Sequence, residues 1–296
     1  MPRSLWQLYT GLNRLDMRVM RAIEAGLGRY EYVPLEFIEK KLRGQSPDKI
    51  NKSLDKLNEF KLIKRMVGHT IGYTLTYTGL DILALSSLVA RGVIEILGER
   101  IGVGKEGGIY IARASTGELV VVKFHREGRR SFQHIKRTRH YAANLPRKSW
   151  FRLAKLVGER EFKILAALKD EGARVPEPIA WSRHAVVQEY IPGVELYRVS
   201  DLSPAEAYEV LQKIVETIEI AYQRVGIVHG DLSEYNVLLT EDLEPYIIDW
   251  PQYIYREEPQ ADELLERDIR YITAFFRRKY RIQVDPEEII ERVRGG

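Results

Sequence analysis

None of the 296 residues is a cysteine. Disulfide cross-links, thiolate nucleophiles and Cys-ligated zinc or iron–sulfur centres are thereby excluded, and the absence fits a reducing compartment. The chain also lacks any run approaching the ~18 apolar residues of a membrane helix. Its opening Met1-Pro2-Arg3-Ser4-Leu5-Trp6 has no signal-peptide apolar core. The expectation is a cytoplasmic protein with no membrane partner. Net charge is small as well, 46 Lys+Arg against 42 Asp+Glu, or +4, so the average gives little reason to expect a nucleic-acid ligand. What remains, 45% hydrophobic and 30% charged residues, is the composition of a folded globular protein long enough for two domains or a two-lobed enzyme.

The average conceals a strong polarisation. Residues 1–84 hold 14 Lys+Arg and 9 Asp+Glu, while residues 125–160 hold 11 Lys+Arg, two acids and three histidines. Phe132, Tyr141, Trp150 and Phe151 are interleaved in this second stretch. Arginine and lysine release counterions from a phosphate backbone, and aromatic rings stack on unpaired bases, so the stretch suits structured RNA. A solvated loop is the plainer alternative.

Residues 1–84 carry three apolar stripes at helical spacing: Val19, Met20 and Ile23; Leu35, Phe37, Ile38 and Leu42; and Ile50, Leu54 and Leu57. Ser46, Pro47 and Asp48 form a start signal for the third helix. Leu62–Val67 and Tyr73–Thr76 alternate around a Gly68-His69-Thr70-Ile71-Gly72 tip, as a two-stranded wing does. The expected module is a winged helix. Its third helix would turn Lys49, Asn51, Lys52, Ser53 and Lys56 outward as nucleic-acid contacts; an ordinary solvated face is the alternative. The predicted fold class is α+β: a winged helix (1–84), the end of a connecting helix (85–92), a strand-rich lobe (93–190) with a basic flexible loop at 125–160, and a helical lobe (191–296). The spacing predicts strands at 93–97 and 118–124 and helices at 161–169, 204–224, 262–279 and 286–294.

The chemistry concentrates in His229-Gly230-Asp231-Leu232-Ser233-Glu234-Tyr235-Asn236 and in Ile247-Ile248-Asp249-Trp250. Phosphoryl transfer from ATP needs an Asp beside the attacking oxygen, an Asn a few residues on to hold a metal ion, and a second Asp to hold metal on the phosphates. Asp231, Asn236 and Asp249 have that order. Upstream, Lys123 interrupts an apolar strand-like run and needs an anionic partner. Before it lies the glycine-rich stretch Gly102-Val103-Gly104-Lys105-Glu106-Gly107, whose glycines serve a turn or a phosphate. Taken singly these pieces are weak; together and in this order they describe a kinase.

With the winged helix in front, Gly102-x-Gly104-Lys105-Glu106, His229–Asn236, Ile248-Asp249-Trp250-Pro251-Gln252 and Glu266-Arg267-Asp268-Ile269-Arg270 resemble the RIO atypical serine/threonine protein kinases, specifically the branch with an N-terminal winged helix. The resemblance implies a two-lobed protein-kinase-like fold with a truncated C-lobe that uses ATP with Mg2+, or Mn2+ in its place. It implies that Lys123 binds the α- and β-phosphates and pairs with Glu161, Glu159 being the competitor. Asp231 would be catalytic, Asn236 and Asp249 would bind metal, and Asp249 would serve as phospho-acceptor. Glu189 and Ile191 would meet adenine through backbone carbonyl and amide, and Ser131 or Ser149 would be autophosphorylated. The partners implied are the small ribosomal subunit precursor and its rRNA, met through Lys49, Asn51, Lys52, Lys56, Arg129, Arg130, Lys136, Arg137 and Arg139; the protein substrate is left unnamed. Gly107 departs from the family's serine. Only 47 residues follow Asp249, which leaves little room for a peptide-docking groove. The alternatives are a small-molecule phosphotransferase of the aminoglycoside-kinase type and a nucleotide-gated RNA-binding scaffold.

Overall fold

The computed structural model describes residues 3–68, 70–104, 107–126 and 150–295. The chain divides into two compact units, Met1–Glu159 with Ile179–Val187, and Arg160–Pro178 with Gln188–Gly296.

The first unit opens with α1 (Leu5–Thr10), α2 (Arg14–Gly26), β1 (Val33–Pro34), α3 (Leu35–Lys41) and α4 (Pro47–Glu59). Asn13 and Ser46 accept the first free N–H groups of α2 and α4, which otherwise lack intrahelical partners. β2 (Ile63–Val67) and β3 (Ile71–Leu75) form the wing, with β1 on the other side of β3. The winged helix is therefore as expected, with α1 and β1 added.

α5 (Tyr77–Ala90) follows, tight against the residue that leads into β2: a Cβ on Gly79 would stand 2.1 Å from the Leu62 carbonyl oxygen. β4 (Ile96–Gly104), β5 (Gly107–Arg113) and β6 (Leu119–His125) then build a sheet with β7 (Pro178–Ser182) and β8 (Ala185–Glu189), ordered β4-β5-β6-β8-β7. One buried cluster runs from Met20, Ile38 and Leu57 through Leu85 and Leu88 to Val120, Val122 and Val187. The winged helix and the sheet thus share a core.

Two expectations need correcting here. The strand expected from Val93 starts at Ile96. The basic stretch 125–160 is not a loop throughout, because α6 runs from Trp150 to Asp170. Leu153, Ala154 and Val157 are buried along it, a helical stripe that the surrounding Arg152, Lys155 and Arg160 obscure in the sequence. Ser131, Ser149, Arg129, Arg130, Lys136, Arg137 and Arg139 lie outside the described residues.

The second unit contains the rest of α6, then β9 (Gly193–Glu195), α7 (Pro204–Glu219) with a π-helical extension (Ile220–Val225), β10 (Ile227–Val228), β11 (Val237–Thr240), β12 (Pro245–Ile247), β13 (Ile254–Tyr255), α8 (Ala261–Tyr280) and α9 (Pro286–Arg294). Its core gathers Val210, Ile214, Ile227, Val237, Trp250, Ile269 and Phe276.

Ion pairs between elements of the first unit are set by buried carboxylates. Asp16 on α2 is 1% exposed and receives Ser53 Oγ at 2.6 Å, Lys56 Nζ at 2.7 Å and the Asn13 N–H at 3.0 Å. Ser53 and Lys56 are therefore turned toward Asp16, not outward as the helical spacing suggested, since a carboxylate cannot be buried without such partners. Lys49, Asn51 and Lys52 are exposed. Burial raises the Asp16 pKa, and the bonds from Lys56, Ser53 and the Asn13 N–H outweigh it, leaving the carboxyl below its ordinary range. A depressed carboxyl pKa stabilises the fold above the unfolded-state pKa and loses that contribution as pH falls through the folded value. Asp16→Asn should therefore lower stability at pH 7 by about 1–3 kcal/mol. In urea titrations the gap from the parent chain should narrow below pH 4; an equal gap at pH 3 and pH 7 would remove the charge from the explanation.

Candidate active site

Each unit holds its own set of the residues singled out above. In the first, Gly102, Ile109 and Lys123 lie in one cross-strand row: Gly102 faces Ile109 between β4 and β5, and Ile109 faces Lys123 between β5 and β6. Gly104 pairs with Gly107, so the glycine-rich stretch is a hairpin end; its tip residues, Lys105 and Glu106, lie outside the described residues. Lys123 is 8% exposed in a strand whose neighbours Val122 and Phe124 are buried.

Beyond β6, Arg126 pairs with Asp81 of α5, and His184 Nε2 lies 2.7 Å from the other Asp81 oxygen. Burial pushes the His184 imidazole down, against the pull of Asp81. Glu24 of α2 is gripped by Arg183 at 2.7 and 2.8 Å and by Lys155 of α6 at 2.9 Å. The strand that carries Lys123, the β7–β8 turn and the start of α6 are all tied ionically to the winged helix. None of these ties was visible in the sequence, where their residues are far apart.

In the second unit, Glu161 is fully buried on α6 while Glu159, at the end of the first unit, is half-buried. Glu161 is thus the helix carboxylate that requires a partner. The Glu189 N–H is taken by the Glu177 carbonyl at 2.8 Å, and the Ile191 carbonyl by the Gly193 N–H at 2.9 Å. The groups that the resemblance assigns to adenine, the Glu189 carbonyl and the Ile191 N–H, are the opposite ones.

The loop from His229 to Asn236 is fixed at both ends. Asp268 of α8 accepts the Gly230 N–H at 2.7 Å, and Arg267 donates to the Gly230 carbonyl at 2.6 Å. Gly230 has φ +77°, and a Cβ there would lie 3.2 Å from the Gln252 carbonyl oxygen, so glycine is required. The Asp231 N–H reaches His229 Nδ1 at 3.3 Å, which leaves His229 Nε2 to donate to the Ile248 carbonyl at 3.1 Å. The His229 ring rests on Trp250, centroids 4.6 Å apart. Burial holds the Asp268 carboxyl above its usual range, with His229, Arg267 and the Gly230 N–H opposing.

Sequence reasoning noticed Arg267 and Asp268 only as part of a characteristic run. The available signal was an acid on a buried stripe, since Asp268 is buried in register with Leu265, Ile269 and Ile272. Arg160 of α6 was missed too; its guanidinium sits 4.2 Å from the Tyr253 ring and holds the segment after Trp250.

Asn236 and Asp249 are brought side by side by the β11–β12 ladder. Val237 pairs with Ile247, and the Ile248 N–H donates to the Asn236 carbonyl at 2.9 Å. The Asn236 amide nitrogen donates to the Asp231 carbonyl at 2.7 Å, which aims its Oδ1 away from that bond. Asp249 has φ +68°, a left-handed conformation uncommon outside glycine and concentrated at functional sites. An amide oxygen and a carboxylate are hard oxygen donors, and a pair of them fits a Mg2+ ion that keeps water and phosphate oxygens as its other ligands.

Comparison with known proteins identifies the family. The RIO domain family profile matches residues 108–289, and the profile of the Rio2 N-terminal domain matches residues 9–91. The chain is 39% identical over 263 residues to the RIO-type serine/threonine-protein kinase Rio2 of Methanocaldococcus jannaschii, covering 88% of this chain and 95% of that protein. It is 35% identical to the serine/threonine-protein kinase rio2 of Schizosaccharomyces pombe, over 93% and 79% of the two chains. A crystal structure of the Rio2 kinase of Chaetomium thermophilum, a complex with ADP/Mg2+ and phosphoaspartate, superposes with a TM-score of 0.81 at 35% identity, covering 97% of this chain and 87% of the other. The profiles, the relatives and the shared fold together place this chain in the RIO-type serine/threonine-protein kinase family, in the group that carries the Rio2 N-terminal domain.

Proposed function

We propose that this protein is an ATP- and Mg2+-dependent kinase or ATPase that acts in maturation of the small ribosomal subunit, bound to its precursor rRNA. The observation that carries the chemical part is the juxtaposition of Asn236 and Asp249 by the Ile248–Asn236 backbone bond, with Asp231 tied to the same asparagine. Family membership disfavours the aminoglycoside-kinase reading. A scaffold with negligible turnover is disfavoured because Asp231, Asn236 and Asp249 are all present.

Lys123 binds the α- and β-phosphates, and Glu161 is the family's helix carboxylate. Asn236 and Asp249 hold Mg2+, which when bound neutralises charge on the phosphates. Asp231 orients a hydroxyl nucleophile, or the water that hydrolyses the phosphoenzyme, and accepts its proton. A relative has been seen as a phosphoaspartate complex with ADP, and here the acceptor role is assigned to Asp249. Its carboxylate oxygen forms a bond to the γ-phosphorus, the bond to the β-phosphate oxygen breaks and ADP leaves. Water then hydrolyses the acyl phosphate, restoring Asp249 and releasing phosphate. The hold on Gly230 by Asp268 and Arg267 keeps the neighbouring Asp231 in place.

Single-turnover experiments with γ-labelled ATP test these roles. Asp249→Ala should abolish labelling and phosphate release. Asp231→Ala should slow turnover by about 10²–10⁴-fold while nucleotide affinity changes little. Label that is base-labile marks the aspartyl route, acid-stable label marks Ser131 or Ser149, and unchanged turnover in either variant would refute the assignment.

The ribosomal part of the reading is carried by the basic segment. Replacing Arg129, Arg130, Lys136, Arg137 and Arg139 with Ser should weaken binding to a small-subunit rRNA fragment and reduce the slope of log K against log salt by up to about 4. A slope identical to the parent's would place the RNA footprint elsewhere.

A further inference from the structure

The winged helix has a second basic face, unrelated to its recognition-type helix. We infer that the solvent side of α2 is a docking surface for the phosphate backbone of structured RNA. This rests on the RNA reading above and assigns it a surface.

Arg14, Arg18 and Arg21 follow one another at i, i+4 and i+7, and Ala25 continues the row at i+11. This spacing keeps all four on one side of a helix. Arg14, Arg21 and Ala25 are exposed and Arg18 half-buried. The two acids of α2 are drawn off that row, Asp16 into the core and Glu24 onto Arg183 and Lys155. Arg14 and Arg18 have no carboxylate partner among the described residues, and Arg21 reaches only the Ser86 hydroxyl, at 3.4 Å. Just past the helix, exposed Arg29 and Arg152 extend the charge, with Arg152 donating to the Gly28 carbonyl at 3.1 Å.

The face usually credited to a winged helix compares poorly. On α4, Lys49, Lys52 and Lys56 are matched by Asp48, Asp55 and Glu59, and Lys56 is committed to Asp16. Of the two helix faces the α2 row is therefore the more strongly basic, and exposed Lys61, Lys64 and Arg65 on and just before β2 add further positive charge to the module. Three arginines spaced along roughly 10 Å of helix, at 1.5 Å per residue, present planar forks that pair with phosphate oxygens through two parallel hydrogen bonds. Carboxylates of an acidic polypeptide can take the same forks, so that polypeptide is the rival occupant and poly-glutamate competition separates the two.

The test compares the full-length chain with two triple variants, Arg14→Ser/Arg18→Ser/Arg21→Ser and Lys49→Ser/Asn51→Ser/Lys52→Ser. Binding to a fluorescent RNA stem-loop is measured by anisotropy across a salt series, with poly-glutamate as competitor. Thermal melts confirm that the substituted surfaces leave the fold intact. The α2 variant should lose at least ten-fold in affinity near 0.1 M salt, and its log–log salt slope should fall by about 2–3. The α4 variant should stay within about two-fold. An unchanged slope in the α2 variant, or displacement of RNA by poly-glutamate at equal charge concentration, would overturn the inference. Absence of salt-dependent RNA binding by the parent chain would overturn the RNA reading itself.

Discussion

A carboxylate withdrawn from water has to be met by cations or by N–H and O–H donors, or it must give up its charge. Much of this protein's organisation follows from that constraint. Asp16, Glu24 and Asp81 of the winged helix are each met by groups from elsewhere in the chain: Ser53 and Lys56; Arg183 and Lys155; Arg126 and His184. In the second unit buried Asp268 is met by the backbone N–H of Gly230 and by Arg267. The same device fastens the Lys123 strand in one unit and the Asp231 loop in the other. Directional bonds to a buried charge hold a chain segment in a way that apolar contacts alone, being non-directional, do not.

Two of the positive backbone angles fall at the candidate site. Gly230 and Asp249 both lie in the left-handed region, one just before Asp231 and the other at the second aspartate of the proposed site. Glycine removes the steric conflict in the first case. In the second, the neighbours hold the residue: the Ile248 N–H bonds to Asn236, and Trp250, 1% exposed, bonds through Nε1 to the Ile247 carbonyl at 3.0 Å.

Much of the fold was legible in the sequence because it rests on local signals. Ser46 and Pro47 mark the start of α4, and apolar spacing gives the helices of the winged helix and of the second unit. Asp231, Asn236 and Asp249 stand out in the sequence because phosphoryl transfer restricts both residue type and order, and the β11–β12 ladder brings Asn236 and Asp249 together. Three features were hidden for physical reasons. α6 begins at Trp150 because Leu153, Ala154 and Val157 find a core, although the surrounding arginines make the segment read as solvated. Lys56 and Ser53 seem outward by helical phase until the buried Asp16 calls them in. The Asp81–Arg126 and Glu24–Arg183 pairs join residues separated by 45 and 159 positions, a range over which periodicity carries no information.

The shared ion pairs also bear on how this architecture can be inherited. A winged helix is commonly thought of as a portable cassette, added to or removed from other proteins by recombination. Here a breakpoint near Gly92 would separate Glu24 and Asp81 from their guanidinium partners and divide a core that runs from Leu57 through Leu85 to Val122. Both fragments would carry unmatched buried charge and bare apolar surface. The module and the strands beside it are bound to be gained, lost and diversified together.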